Sequence, residues 1–230
     1  MKTIGLLGGT TWESTLDYYR IINQETMKRT CNRHTAKIVM YSLDFHDVEV
    51  LMNAGKMDEL AILLGHAATA IERGGADCIL VCANTMHMFA DKIKAAVNLP
   101  MIHIAEVTLK EVQKNNFTKV GLLGTKPAME LDFYKNIFHE NGVEIIIPDA
   151  EERNFIHGVI FKELFLGIIN EDSRNKMTAI MEKLADDGAQ GVILGCTEIP
   201  LLIKQEHTDI PVFDSTYIHS CAAVDFALNY

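Results

Sequence analysis

Short, almost wholly apolar runs of β-type residues alternate along this chain with longer stretches of helical period. The runs Ile4 to Gly8, Lys37 to Leu43, Asp77 to Cys82, Lys119 to Gly124, Val143 to Ile147, Gly191 to Gly195 and Pro211 to Phe213 read as strands. Between them, Glu13 to Thr30, Asp58 to Arg73, Ala105 to Lys114, Pro127 to Asn141, Arg153 to Ile169, Ser173 to Asp187 and Ser215 to Leu228 carry apolar residues three and four positions apart. Strands that are apolar on both faces need helices on both faces, so the pattern predicts an α/β fold with mostly parallel sheets. In such folds ligands gather at the carboxyl ends of the strands.

The alternation also repeats. Ile4-Gly5-Leu6-Leu7-Gly8-Gly9-Thr10 is echoed by Val120-Gly121-Leu122-Leu123-Gly124-Thr125, an offset of 116 residues. The stretch from Gly75-Ala76 to Ala83 is echoed by that from Gly188-Ala189 to Cys196 at an offset of 113, and Ile102 after Leu99-Pro100 is echoed by Phe213 after Ile210-Pro211 at about 111. Three echoes in one order at nearly one offset predict two pseudo-symmetric domains, each a mostly parallel sheet flanked by helices. The expected limits are 1–98 with a returning segment 212–230, and 99–211. Packing about a pseudo-twofold axis would bring both sets of strand ends to one central cleft, with equivalent positions on opposite sides of a ligand.

Composition narrows the partners. The 230 residues carry 31 Asp and Glu against 21 Lys and Arg, a formal charge of −10, which opposes the phosphate attraction that nucleic-acid and anionic-membrane binders use. A small molecule is the expected ligand, with no nucleic acid and no membrane. No apolar run approaches the roughly 20 residues of a bilayer span, and the apolar start is too short for a signal peptide. Five scattered cysteines (Cys31, Cys78, Cys82, Cys196, Cys221) make poor material for a disulfide framework and fit a reducing, cytoplasmic setting.

Three strand ends could carry chemistry. Gly8-Gly9-Thr10-Thr11-Trp12-Glu13-Ser14 is a glycine turn leading into a helix, suited to an anion or simply a tight turn; it has neither P-loop nor dinucleotide spacing. Asn84-Thr85-Met86-His87 could orient a polar ligand or cap the next helix. Leu194-Gly195-Cys196-Thr197-Glu198 places a thiol directly after an apolar strand, where a helix N-terminus would lower its pKa from about 8.5 toward neutrality. The alternative for Cys196 is a buried, inert cysteine, but its polar neighbours favour function. Cys31, Cys78 and Cys221 read as structural, and Met86, Met88 and Met101 as core filling. The histidines show no metal-ligand spacing; His46, His87, His103 and His219 lie near element ends, where packing is the commoner role.

Taken together, the opening Ile-Gly-Leu-Leu-Gly-Gly-x-x-Trp-Glu-Ser-Thr with Tyr18-Tyr19, the central Asn84-Thr85-Met86-His87 and the late Gly195-Cys196-Thr197-Glu198-Ile199 resemble the aspartate/glutamate racemase family over essentially the whole chain. The resemblance implies cofactor-independent racemisation of an amino acid by two cysteines, one removing the α-proton and one supplying a proton on the opposite face, without pyridoxal phosphate. It also implies a homodimer. The late cysteine falls on Cys196. The early one should precede Asn84-Thr85, and that position is Ala83; the 113-residue offset reaches the same pairing independently. Cys82 is one residue early, and in a strand a shift of one turns the side chain to the other face.

The resemblance further assigns the α-carboxylate to Asn84, Thr85, Thr125 and Thr197, with Met52 and Glu198 as further substrate contacts. Thr10 and Thr11 stand at the pocket edge where Met-Ser is usual. The segment Asp44 to Met52, read as a loop after the second strand, offers no Lys or Arg for a side-chain carboxylate, and Lys162 is the nearest cation on a later helix, close to Phe165. A neutral or mixed pocket with broad specificity follows. The leading expectation is a racemase made one-sided or slow by Ala83, since one misplaced acid or base costs about 10²–10⁴ in rate. Two alternatives stand beside it: a lyase resembling the single-cysteine decarboxylases of the superfamily, and a non-catalytic amino-acid binder.

Overall fold

The computed structural model describes residues 1–229. In chain order the elements are β1 (Thr3–Gly8), α1 (Trp12–Arg29), β2 (Lys37–Ser42), α2 (Phe45–Asn53), α3 (Met57–Arg73), β3 (Cys78–Val81), a 3-10 turn (Thr85–Phe89), α4 (Ala90–Ala96) and α5 (Ile104–Lys114). Then follow β4 (Lys119–Gly124), α6 (Lys126–Glu130), α7 (Asp132–Glu140), β5 (Glu144–Ile146), α8 (Ala150–Lys162), α9 (Glu171–Asp186), β6 (Val192–Gly195), α10 (Ile199–Leu202), β7 (Val212–Asp214) and α11 (Ser215–Leu228). Tertiary contacts divide them into two units, Met1–His103 with the chain from His219 on, and Ile104–Ile218. The sequence-based limits at 98/99 and 211/212 fall short of these. Met101 still bridges to Ile79 beside β3, which keeps 99–103 with the first sheet, and β7 pairs with β6, which keeps 212–218 with the second.

Each unit is a parallel α/β sheet: β2-β1-β3 in the first, β5-β4-β6-β7 in the second. The repeat is visible in the register. Leu7 pairs with Val81 in the first sheet and Leu123 with Leu194 in the second, so the offsets of 116 and 113 map one strand pair onto the other residue for residue. Ala83 and Cys196 therefore occupy equivalent places, each two residues beyond the matched pair.

The first sheet separates two hydrophobic clusters. Ile4, Leu6, Cys78, Leu80 and Cys82 face one with Tyr18, Ile22 and Val224; Leu7, Ile79 and Val81 face the other with Leu64, Ile71 and Ile93, and Ala83 packs at its margin. This period of two follows from the pleat. The second sheet is wrapped by one larger cluster in which Tyr134, Phe138, Ile156 and Met181 are fully buried.

Several local expectations are corrected. The segment after β2 is not a loop but α2, started by Asp44, whose Oδ1 accepts from the His46 amide at 2.9 Å. The helix expected from Pro127 to Asn141 is two, because Leu131 adopts an extended conformation (ψ 156°) between α6 and α7; Ala128, Met129, Tyr134 and Phe138 are all buried, so apolar spacing runs through the break. The helix expected over Arg153 to Ile169 begins earlier and ends sooner. A capping box between Asp149 and Glu152 starts α8, and the 3-10 turn Leu164–Leu166 closes on Gly167 at φ +73°. Among the described residues no helix is long and apolar enough to cross a membrane.

Gly9 ends the first strand in a way only glycine permits. Its φ is +87°, and a Cβ there would lie 2.2 Å from the backbone N and O of Leu43. Gly55 has φ +67° but nothing within 4 Å of the place a Cβ would take, so it isolates the cost of the left-handed conformation alone. Urea unfolding should show Gly55→Ala destabilising by about 1–2 kcal/mol and Gly9→Ala by about 3 kcal/mol or more, because backbone at that distance must move. Equal losses would mean that Leu43 yields freely.

Candidate functional site

In the first unit the ends of β1 and β3 lie side by side, joined by the Cys82 amide donating to Leu7 O at 2.8 Å. After β1, the Gly9 amide donates to Thr15 Oγ1 at 2.9 Å, and Thr15 Oγ1 donates to Thr11 O at the same distance. Thr11 is the N-cap of α1, its Oγ1 accepting from the Ser14 amide at 3.2 Å. Thr10 between them is buried, and its Oγ1 has no hydrogen-bond partner, an arrangement that suits a polar ligand. Asn84 is buried and Thr85 half-buried at the start of the 3-10 turn. Met52, near the end of α2, packs half-buried against the cluster that Ala83 borders.

Cys82 and Ala83 divide as the pleat requires. Cys82 is fully buried among Ile4, Leu6 and Leu80, and burial pushes its thiol far up from the usual range. It is a core residue facing away from Ala83's side of the sheet. Cys78 is likewise buried, its thiol pushed up to about 12, first by burial. Among the other cysteines, Cys31 is exposed and Cys221 half-buried.

In the second unit the pairing of Gly124 with Gly195 sets the ends of β4 and β6 together. Thr125 follows β4 as the buried N-cap of α6, accepting from the Ala128 amide at 3.4 Å. After β6, Cys196, Thr197 and Glu198 are all buried. The Cys196 thiol donates to Glu198 Oε2 at 2.9 Å, and the Thr197 hydroxyl donates to the same oxygen at 2.7 Å. The thiol is held well above its ordinary pKa, first by burial and then by the neighbouring carboxylate. This reverses the expectation of a thiol lowered toward neutrality. The helix that was to lower it, α10, is a single turn of four residues, and Glu198 stands between it and the sulfur.

The candidate residues thus fall into two groups, all at strand ends except Met52 on α2. Thr10, Thr11, Met52, Ala83, Asn84 and Thr85 belong to the first unit; Thr125, Cys196, Thr197 and Glu198 belong to the second. The profile of the Asp/Glu/Hydantoin racemase family matches residues 7–223. The chain belongs to that family. It is similar over its full length to a Yersinia pestis protein crystallised as a candidate Asp/Glu racemase, with 45% identity, complete coverage of both chains and a TM-score of 0.94. It is also similar to an aspartate racemase homologue from Pyrococcus horikoshii OT3, with 37% identity, 99% of each chain covered and a TM-score of 0.87. The broad specificity amino-acid racemase RacX of Bacillus subtilis is 26% identical over 176 residues, 75% of this chain and 74% of RacX.

Around the first cluster, this racemase-family chain carries groups that residue patterns did not connect. Ser14 Oγ donates to Cys82 O at 2.6 Å. The His87 ring meets Ala83 O at 2.8 Å through Nδ1, and Tyr18 Oη meets His219 Nδ1 at 2.8 Å. His87, His103 and His219, read singly as packing residues, are buried together, whereas His46 is exposed on α2. Lys162 is exposed at the end of α8. Among the described residues, no group of three or more His, Cys, Asp or Glu is arranged to hold a metal ion.

Thiol alkylation reads the electrostatics of Cys196 directly, since the thiolate is the reacting form. With iodoacetamide at pH 7.5 and peptide mass spectrometry, Cys31 should be labelled first and Cys196 far more slowly. The Cys196 rate should rise about tenfold per pH unit from pH 7 to 9, as the thiolate fraction does below its pKa. Glu198→Gln removes the adjacent charge and should speed labelling about tenfold at pH 7.5; labelling of Cys196 at the rate of Cys31 in the unmodified chain would refute the assignment.

Proposed function

We propose that this protein is a cofactor-independent amino-acid racemase, an isomerase, that works mainly on one face of its substrate. The observation that carries the reading is the Cys196–Glu198 pair at the end of β6, in a chain of the Asp/Glu/Hydantoin racemase family. The thiol is protonated at rest, so proton abstraction begins with its proton passing to Glu198 Oε2 along the 2.9 Å hydrogen bond. The pair then keeps a net charge of −1, with a thiolate beside a neutral carboxylic acid, which avoids two adjacent anions in a buried site.

The thiolate takes the α-proton: the Cα–H bond breaks, the S–H bond forms, and the electron pair left on Cα delocalises into the substrate carboxylate. Before reversal the new S–H proton exchanges with solvent by way of Glu198, along the same hydrogen bond, and reversal then returns a solvent-derived proton from sulfur to Cα. Asn84, Thr85, Thr125 and Thr197 supply polar groups for the α-carboxylate, and the unpartnered Thr10 Oγ1 supplies a further donor or acceptor. Glu198 acts on the sulfur rather than on the substrate, a change of role from the contact that the resemblance implied.

Ala83 occupies the place equivalent to Cys196 and has no proton to give. On that face water is the acid or base, and inversion is slow. Cys82 does not replace it, because its sulfur lies in the core on the other side of β3. The substrate class is a small amino acid, acidic or more broadly chosen, with no Lys or Arg on α2 to select a side-chain carboxylate. The same reading makes the enzyme a cytoplasmic homodimer.

Proton NMR in D₂O with both enantiomers of aspartate, glutamate and a neutral panel tests the proposal. The unmodified chain should exchange the α-proton of one enantiomer faster than that of the other, with slow interconversion. Ala83→Cys should raise interconversion by about 10²–10⁴, and Cys196→Ser should abolish exchange. Equal exchange of both enantiomers, or exchange that survives Cys196→Ser, overturns the mechanism. Saturable binding without exchange in any variant points instead to an amino-acid binder.

A further inference from the structure

The strongest feature outside the thiol site is a buried array of three imidazoles and a phenol behind the Ala83–Thr85 loop. His87, His103 and His219 are each at most 4% exposed. The ring centroids of His87 lie 4.7 Å from His103 and 5.5 Å from His219, and Tyr18 lies edge-on to His219 at 5.5 Å. Carbonyl oxygens can only accept, so tautomers follow from the partners. His219 Nε2 donates to Ile102 O at 2.7 Å, which leaves its Nδ1 to accept from Tyr18. His87 Nδ1 donates to Ala83 O at 2.8 Å. His219, on α11, is thereby tied to α1 and to the segment after the Met101 bridge, while His87 is tied to its own strand end and packs edge-on against His103 and His219.

We propose that His87 is a positioning residue that fixes the direction in which Asn84 and Thr85 face the substrate. This rests on the reading above of those two residues as substrate contacts. β3 ends at Val81, and the next two carbonyls are tied down by side chains: Cys82 O by Ser14 and Ala83 O by His87. The fold of a half does not itself require a histidine there. The 113-residue offset pairs His87 with Pro200, and the second unit builds the same strand end without an imidazole: Cys196 O, the counterpart of Ala83 O, accepts from the Ile199 amide at 3.2 Å.

The array also makes the loop acid-sensitive. His87 faces the rings of His103 and His219, while Lys94 and Asp91 of α4 act on His103 with opposite signs. Burial first, then the neighbouring rings, hold the His87 pKa well below the usual imidazole value; burial holds His103 down to about 4 and His219 to about 3. Protonation of His87 at pH below about 6.5 therefore requires the loop to open. The closed loop is fully favoured above that pH and loses ground as the pH falls, by about a factor of ten per pH unit for one proton taken up.

Hydrogen exchange and kinetics of the full chain test this with His87→Phe, which fills space without a donor, and His87→Asn, whose amide nitrogen reproduces the Nδ1 donor and does not titrate. His87→Phe should raise KM for α-proton exchange at least tenfold with kcat within threefold, and lower the amide protection of Asn84 to Phe89 at least tenfold while that of β4 is unchanged. His87→Asn should restore both to within threefold. Between pH 6 and 5 the protection of Asn84 to Phe89 should fall about tenfold in the unmodified chain and stay level in His87→Asn. Unchanged KM and protection in His87→Phe, equal damage in the two variants, or protection lost evenly across the fold overturns the proposal. Absence of α-exchange in the unmodified chain would defeat the catalytic reading, and the protection comparison of the two variants would still decide whether His87 positions the loop.

Discussion

Parallel pairing of β1 with β3, and of β4 with β6, is the constraint from which the rest of the structure follows. A parallel strand delivers its carboxyl end to the same edge as its neighbour's, so both chemistry-bearing turns of each unit emerge side by side. The pleat then decides which residue of a strand end is core and which is available. Cys78, Leu80 and Cys82 go to one face, and Ile79, Val81 and Ala83 to the other. One residue of register separates a sulfur sealed among aliphatic side chains from the position that matches Cys196.

The thiol of Cys196 shows what burial does to an acid–base group. Taking a thiolate out of water is costly, and a carboxylate at hydrogen-bond distance makes it costlier, so the resting proton stays on sulfur. The same carboxylate is also the nearest acceptor for that proton. In the proposed mechanism, the arrangement that suppresses the free thiolate thus also supplies the route by which a thiolate forms when the α-proton is to be moved. Thr197 donates to the same carboxylate oxygen and so steadies Glu198 against the sulfur.

Much of the architecture was legible because it rests on long-range patterning. Seven apolar runs read as strands and all seven are strands; the repeat that matched Leu7 with Leu123 reappears in the register of both sheets. Local breaks were not legible from periodicity. The split at Leu131 keeps buried residues on both sides in phase, and α2 spans only nine residues, too short a window for Phe45, Val48 and Leu51, three apart, to separate a helix from a loop. Two local signals in the sequence do mark these starts: Asp44 ahead of α2, and the Asp149-x-x-Glu152 box that starts α8. The histidine array was illegible for another reason. His87, His103 and His219 are far apart in sequence, and only the fold brings the returning α11 against the end of β3's unit. The raised thiol was hidden too, since the length of α10 and the direction of the Glu198 side chain are tertiary facts.

Backbone anchoring and side-chain chemistry are separable at the end of β3, and that separation accounts for an alanine there. The carbonyls on either side of the Cys82–Ala83 junction are held by Ser14 and His87, and the Cys82 amide by Leu7. None of these bonds uses the side chain of residue 83. A methyl group at that point keeps the turn, packs at the margin of the Ile79 and Val81 cluster, and leaves no buried polar group unpaired. An alanine is therefore cheap for the fold at this point, and in the proposed mechanism it is what leaves one face of the substrate without a protein acid or base. A position whose backbone is over-determined and whose side chain is structurally optional is one where chemistry can change between the two halves while the register that relates them stays intact.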